Sequence, residues 1–530
     1  MRDGIVSRAA PDSRAGWVGR QSHLQVGRLA VRSLVERGMA NDFFEPHPLV
    51  RLLEKPAADF TRSDLVRAVE QLELRQVNLR YVGGDGRLKM VAFPIDSREH
   101  LIEVLTRGER VDGSSVFQGT EAHASDVYIV PRHRTAFVNP FGERPSLDVL
   151  CSFYGQDGKP LPYAREQVVR RAAEVLYQET GMVLEAFGEL EYYLVDEAER
   201  IYPVEEEHGY QESAPFSKGQ QVREQVLGHL SAMGIKLKYA HGEVGNILED
   251  ERQLVQHEIE FWPAPVEQAA DALVVAKWVV REVACGHGLE VTFAPSVSSD
   301  GAGSGLHVHS RLVRDGASAI MGTEGINDTG RRLIAGYLSA AKALTAFGNT
   351  VPTSYLRFSD GDESPEDICW GETDRTSLVR VPLAWGGHVL PGMVAHANPD
   401  SSEPIPEPAI HPQTVELRLA DGSADVHLLL AGMAVAARRG LSDPESLELA
   451  ARLSTADHDN FEQLPSSCAE SADALESERA SFEAHGIFPS ELIDAVLDRR
   501  RADDAAAPMK KVAKNDDARA DLVRRHWHVG

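Results

Sequence analysis

Four short segments of this chain alternate ionisable with apolar residues: Gly188-Glu189-Leu190-Glu191-Tyr192-Tyr193-Leu194, His257-Glu258-Ile259-Glu260-Phe261, Gly305-Leu306-His307-Val308-His309 and Thr414-Val415-Glu416-Leu417-Arg418. A β-strand repeats every two residues, so Glu189 with Glu191, Glu258 with Glu260, His307 with His309, and Glu416 with Arg418 each share a face. Several such strands predict a sheet or open barrel whose polar face lines a cavity. Carboxylates brought that close repel one another unless cations lie between them. The pattern therefore predicts a metal enzyme.

At 530 residues and 42% hydrophobic composition, the chain can bury a sizeable core and fill more than one domain. Its 55 basic and 81 acidic residues give a net charge of −26, which argues against nucleic acid or an anionic membrane as partner. A small anionic substrate then needs locally placed cations or arginines. The apolar run Leu428 to Ala437 is too short to span a bilayer and is closed by Arg438 and Arg439. Cys151, Cys285, Cys369 and Cys468 stand far apart without a CxxC pair, so a reducing, cytoplasmic location is expected. Residues 1–60 are read as an N-terminal extension without a secretory signal, arginine-rich at its start, with Met39 as a candidate initiator.

Residues 61–150 predict a small α+β unit: a capped helix near Ser63-Asp64, a strand at Val77 to Val82, a Gly83-Gly84-Asp85-Gly86 turn and a strand at Leu88 to Pro94. A larger domain, 156–500, follows a glycine- and proline-containing break and opens with a helix over Ala164 to Gln178. Helices are also expected over Val266 to Gly286 and Gly330 to Phe347. The proline-rich stretch 391–412 reads as a long irregular connection beside Glu416, and 501–530 as a charged, alanine-rich tail, helical or frayed at the surface.

Within the larger domain, Glu189, Glu191, Glu243, Glu258, Glu416 and His307 form an oxygen-dominated donor set with one imidazole. That set suits Mg²⁺ or Mn²⁺, and its size predicts two ions. Arg357, Arg375, Arg380 and Arg418 add fixed positive charge, and divalent ions beside arginines are the equipment of phosphoryl transfer. Singly, each element has a plainer explanation: a solvated sheet face, a hydrogen-bonded core histidine, a surface ion pair. Their concentration in one domain favours the metal site.

Those motifs, in that order, resemble the glutamine synthetase family in its prokaryotic-type form. Asp112-Gly113-Ser114-Ser115 is similar to its small-domain motif, Gly209-Tyr210 to its substrate-loop tyrosine, and Gly303 to His309 to its glycine–histidine motif. Ser354 to Arg357, Gly361-Asp362-Glu363-Ser364-Pro365, Asp374 to Arg380 and Glu416 to Arg418 follow suit. The resemblance implies an α+β architecture: a small N-terminal β-grasp-like domain, then a large catalytic domain with a curved antiparallel sheet or open barrel covered by helices. It also implies ATP as co-substrate, glutamate and ammonia as partners, and a ring-shaped homo-oligomer, a dodecamer in the family.

By that resemblance Glu191, Glu243 and Glu258 would hold an ion touching glutamate, and Glu189, His307 and Glu416 one at the ATP phosphates. Gly303, Arg357 and Arg418 would bind glutamate. His309, Arg375 and Arg380 would meet ATP, with Arg375 also stabilising the transferred phosphoryl group. Asp112 of a neighbouring subunit would deprotonate ammonium beside Ser115, Tyr210 and Glu243, and Glu363 would cover the acyl phosphate.

The chain departs from the family pattern at four places: an apparent insertion within Gly245 to Leu254, Thr414 in place of a phosphate-binding arginine, His411 near a usual lysine, and Ala302 in place of an asparagine. Two alternatives to a glutamate–ammonia ligase follow: a γ-glutamyl ligase for a larger amine, and a catalytically silent homologue.

Overall fold

The computed structural model describes residues 44–117, 125–249, 251–298, 301–323, 325–359, 364–384, 389–406, 411–456, 460–507, 509–512 and 515–530. Glu363 lies outside them.

The small domain begins with the helices Pro48–Leu53 and Arg62–Gln71. Thr61 caps the second: its hydroxyl accepts the Asp64 amide and the Asp64 carboxylate accepts the Thr61 amide, so two otherwise orphaned donors are satisfied. A six-stranded sheet follows, in the order Leu88–Pro94, Gln76–Val82, Ser146–Tyr154, Asp126–Pro131, Glu109–Asp112, with Phe137–Asn139 added beside Ser146–Tyr154. Gln76–Val82 and Ser146–Tyr154 run parallel at its centre, the β-grasp arrangement. Leu65, Leu79, Leu105, Val149 and Phe153 are fully buried in its core. Each such side chain contributes roughly 1.5–3 kcal/mol relative to exposure. Residues 44–60, expected to be an extension, contribute Leu49, Leu53 and Phe60 to the same core.

The larger domain is built on a ten-stranded, curled sheet. Its main path runs Trp370–Glu372, Val379–Val381, Val415–Leu417, Leu306–Arg314, Val183–Glu197, Arg252–Phe261, Leu237–Glu249. The period-two reading separates its faces: Leu184, Ala186, Leu190, Tyr192 and Leu194 enter a core with Leu306, Val308 and Leu312, whereas Glu189 and Glu191 fall on the other side. The helices Arg165–Thr180, Val266–Gly286, Asp328–Gly348 and Val426–Ser442 supply much of that core. His257 belongs to this back face, where Arg223 Nη1 lies 2.7 Å from its Nδ1.

Three segments differ from the sequence reading. The extra residues near Gly245 lengthen a hairpin: Leu237–Glu249 pairs with Arg252–Phe261 out to Glu249–Arg252, with a bulge between Gly242 and Asn246. The proline-rich connection contains a helix, Leu390–Ala397, whose Pro391 sits in the first turn, where a missing N–H removes no intrahelical bond. The charged tail is helical, as one of the two expectations had it, in the end of Ser490–Ala506 and in Asp516–Arg525, but it ends docked rather than frayed, with Trp527 and Val529 against Tyr193, Val195, Ile247, Leu254, Ala294 and Val297. Among the described residues no helix is long and apolar enough to cross a membrane.

Candidate active site

Strand register brings the ionisable residues together. His307 pairs with Glu189, Glu191 with Glu258, and His241 with Glu258. His309 and Arg380 both pair with Glu416. Glu189 Oε1 lies 2.9 Å from His309 Nε2, and its Oε2 lies 3.1 Å from His307 Nδ1. The fully buried Glu416 accepts from Arg380 Nη1 at 2.9 Å and Arg418 Nη1 at 2.6 Å, with the two imidazoles 3.8 and 3.9 Å away. Burial alone would raise the Glu416 pKa, but His309, His307 and Arg418 outweigh it and hold it below its ordinary value. Glu189 is likewise held well below its usual range, because His309 and His307 overcome its burial.

A second cluster stands along the same face. His241 Nδ1 is 3.5 Å from Glu243 Oε2, and its Nε2 is 3.5 Å from Glu258 Oε2. Here burial and mutual repulsion act together. Burial, then Glu189, Glu191 and Glu243, push Glu258 well above the carboxylate range, while burial and Glu191 raise Glu243 to about 7. Tyr210, half exposed, meets the His241 ring edge-on at 5.3 Å.

The glycine loop crosses between these groups. Glu191 Oε2 accepts the Gly305 amide at 2.7 Å and Gln256 Nε2 at 3.0 Å; Gln256 also donates to the Gly303 carbonyl at 2.9 Å. A Cβ on Gly305 would lie 2.9 Å from Arg357 Nη2 and 3.1 Å from His307 Nε2, and one on Gly303 2.6 Å from the Pro295 carbonyl, so neither position accepts a side chain without displacement. Next in the loop, the Ala302 amide donates to Glu207 Oε2 at 3.1 Å and its carbonyl accepts the Tyr193 hydroxyl at 2.7 Å.

Thus Glu189, Glu191, Glu243, Glu258, Glu416, His307, His309, Gly303, Arg357, Arg380, Arg418 and Tyr210 converge around one face. Arg375 is exposed in the turn between Trp370–Glu372 and Val379–Val381. Asp112 and Ser115 are exposed at the edge strand of the small sheet, where Ser115 Oγ donates to Asp112 Oδ2 at 2.7 Å. Sequence reasoning missed His241, Gln256 and Glu207. The first two were accessible: His241-Gly242-Glu243 repeats the alternating pattern, and Gln256 has the same parity as Glu258.

The tightest potential ligand groups are Glu189, His309 and Glu416, and His241, Glu243 and Glu258. Crowded carboxylates with raised pKa values want positive charge, and an oxygen-rich set with imidazole fits Mg²⁺ or Mn²⁺.

A curled sheet with this acidic face is joined to a β-grasp domain, and its carboxylate–imidazole groups have the donor chemistry of a divalent-ion site. The family profile for the glutamine synthetase catalytic domain matches residues 164–517, and that for the glutamine synthetase β-grasp domain matches residues 73–156. The chain belongs to the glutamine synthetase family. It is 29% identical to the glutamine synthetase of Thermus thermophilus over 394 residues, covering 72% of this chain and 80% of that one. With the Frankia alni glutamine synthetase it shares 28% over 495 residues, covering 84% and 96%. The fold also matches the solved glutamine synthetase of Plasmodium falciparum, with TM-score 0.69, 18% identity and coverage of 84% and 96%. A GmaS–ADP complex gives TM-score 0.65 at 19% identity, with coverage of 83% and 96%.

Proposed function

We propose that the protein joins ammonia to the γ-carboxylate of glutamate with ATP, through γ-glutamyl phosphate, giving glutamine, ADP and phosphate. The observation that carries this reading is the pair of imidazole–carboxylate clusters on one sheet face, bordered by Arg357, Arg380 and Arg418.

Glu189 and Glu416, with His307 or His309, would hold one divalent ion; Glu243 and Glu258, with Glu191 or His241, would hold another. When bound, such ions neutralise the two anions that must meet. Arg357, beneath the glycine loop at Gly303, would grip glutamate, assisted by Arg418. Arg380 and His309 would face the ATP phosphates, joined by Arg375 once its turn closes, while Glu363 would shield the acyl phosphate from water. Asp112 of a neighbouring subunit, with Ser115, would complete the ammonium pocket at Tyr210 and Glu243. Hydrogen bonds from Ser125, Ser114 and Ser115 hold the Asp112 carboxyl well below its usual range, so it is ionised and attracts ammonium. This completion requires a homo-oligomer; we take it as a ring-shaped dodecamer on the family's pattern, and the protein as cytoplasmic.

A larger amine is the second reading. It is favoured by Ala302, whose amide is held by Glu207, so a further carboxylate borders the glycine loop. The test is phosphate release with Mg²⁺-ATP and glutamate, with ammonium or a panel of larger amines, and the product identified by mass. Ammonium-dependent release with matching glutamine supports the first reading; release only with another amine supports the second. Silence from folded, assembled protein rejects both.

A further inference from the structure

The glycine loop is supported from behind by the segment that follows Arg418, whose Ala420 carbonyl also accepts from Arg357 Nη1 at 3.4 Å. Leu306 donates its amide to the Ala420 carbonyl at 3.0 Å, Gly422 donates to the Ser304 carbonyl at 3.3 Å, and Gly305 bridges to Asp421. Lys277, buried and unused by the proposed chemistry, donates to the Gly422 carbonyl at 2.7 Å. Segment 420–422 is therefore a shelf on which the loop rests.

Residues Arg519 to Gly530 close on both flanks of that shelf and loop. On one side, Gly530 packs against the Lys277–Gly422 contact: a Cβ there would lie 2.5 Å from the Gly422 carbonyl and 3.2 Å from Lys277 Nζ. On the other, Arg519 Nη2 donates to the Ser298 carbonyl at 3.3 Å, just ahead of the loop. Between them, Trp527 Nε1 donates to Glu290 Oε1 at 2.9 Å, and the Trp527 carbonyl accepts from Thr292 Oγ1. Arg281 Nη2 holds the Val529 carbonyl at 3.0 Å, and Arg87, in the small-domain hairpin turn, holds that of His528. The Trp527 and Val529 side chains pack on the cluster containing Tyr193, the residue whose hydroxyl holds the Ala302 carbonyl.

We infer that Arg519 and the segment Trp527–Gly530 are positioning residues for the glycine loop: they hold Gly303 and Gly305 against Arg357 and thereby set the affinity for the amino-acid substrate. The inference rests on the reading of this loop as the substrate loop. A chain of packed contacts transmits the constraint, and a segment opens locally more often when such support is lost.

Three variants test it: Arg519→Ala, Trp527→Phe, which keeps the packing but loses the N–H, and a protein lacking residues 527–530. Amide exchange of the peptide covering 301–306 is compared with that of the sheet strand 183–197, alongside KM for glutamate and for ATP. In the shortened protein, loop exchange is expected to quicken about tenfold with strand exchange unchanged, and glutamate KM to rise about tenfold with ATP KM within about twofold. Arg519→Ala should shift both in the same direction, and Trp527→Phe less than the truncation. Unchanged loop exchange, or equal acceleration in loop and strand, overturns the positioning role. If the intact protein lacks glutamate-dependent turnover, the proposed function fails, while the exchange comparison still decides the positioning.

Discussion

His309 and Thr414 are joined by a hydrogen bond of 2.8 Å between Nδ1 and Oγ1, with the imidazole stacked at 7° on Phe187, 4.6 Å between centroids. Both residues are buried, so this bond orients the ring nitrogen that faces Glu189. Thr414→Val leaves Nδ1 without its partner, at a cost of about 1–3 kcal/mol. We expect kcat/KM for ATP to fall about tenfold or more and Thr414→Ser to restore most of it, as read by steady-state kinetics with ATP varied.

Glu416 is the shared acceptor of the partly buried Arg380 and the buried Arg418. Removing it in Glu416→Ala takes away a carboxylate of the ATP-side cluster and the acceptor that both arginines share. Glutamate-dependent ADP formation should be abolished, with stability reduced by about 3–5 kcal/mol in denaturant titration. Asp112→Asn, at the exposed edge of the small sheet, should leave that ADP formation intact and impair only the use of ammonium. Equal loss of the first step in both variants would contradict the division of roles.

The second cluster makes metal binding proton-linked. Burial and Glu191 raise Glu243 from 4.5 to about 7, and burial with Glu189, Glu191 and Glu243 raises Glu258 further above its ordinary value. A raised carboxyl keeps in the folded state a proton that the unfolded chain has already lost. The Glu243 contribution to metal-free stability therefore falls as pH rises from about 4.5 to about 7. A divalent ion must expel that proton, so affinity rises with pH across the same window. Calorimetry with Mg²⁺ or Mn²⁺ in buffers of different ionisation enthalpy should show fewer protons released at about pH 8 than at about pH 6. Equal release at both pH values would remove Glu243 from the site.

Period-two alternation made the acidic face legible, because a strand buried on one side must send every second residue to the other. Register was not legible. Nothing in Arg375 and Arg380 as residues says which stands beside Glu416; the pairing of Val379–Val381 with Val415–Leu417 decides it for Arg380. His241 could have been read from the alternation of His241-Gly242-Glu243, and it is its pairing with Glu258 that brings it to the second cluster. Trp527, a single aromatic in a charged tail, carries no periodic signal, and its place in the core depends entirely on tertiary contacts. Asp112 and Ser115 were recognised by motif, yet their edge position is a property of the sheet order rather than of their neighbours in sequence.

The two domains are held together by a buried ionic cluster that a single substitution should expose. Arg132, just beyond the small-domain strand Asp126–Pro131, makes two bonds to Asp271 in the helix Val266–Gly286, at 2.8 and 3.0 Å, and reaches Glu267 at 3.1 Å. Arg170 Nη2 binds Glu267 at 2.6 Å, and His427 Nε2 lies 3.3 Å from Asp271. Burial would raise the Asp271 pKa, but Arg132 and His427 overcome it and hold it far below the usual range. With the folded pKa depressed, the stabilisation is present above the unfolded value of 3.8 and is lost as pH falls toward the folded one. Asp271→Ala leaves Arg132 buried with a diminished set of partners, and we expect a loss of about 3–5 kcal/mol at neutral pH. Denaturant titration at neutral pH and near about pH 3 separates the contributions: the difference between variant and parent should shrink on acidification, because below 3.8 the unfolded parent takes up a proton that its folded carboxylate still refuses. A difference that stays constant with pH would assign the loss to packing rather than to the ion pair.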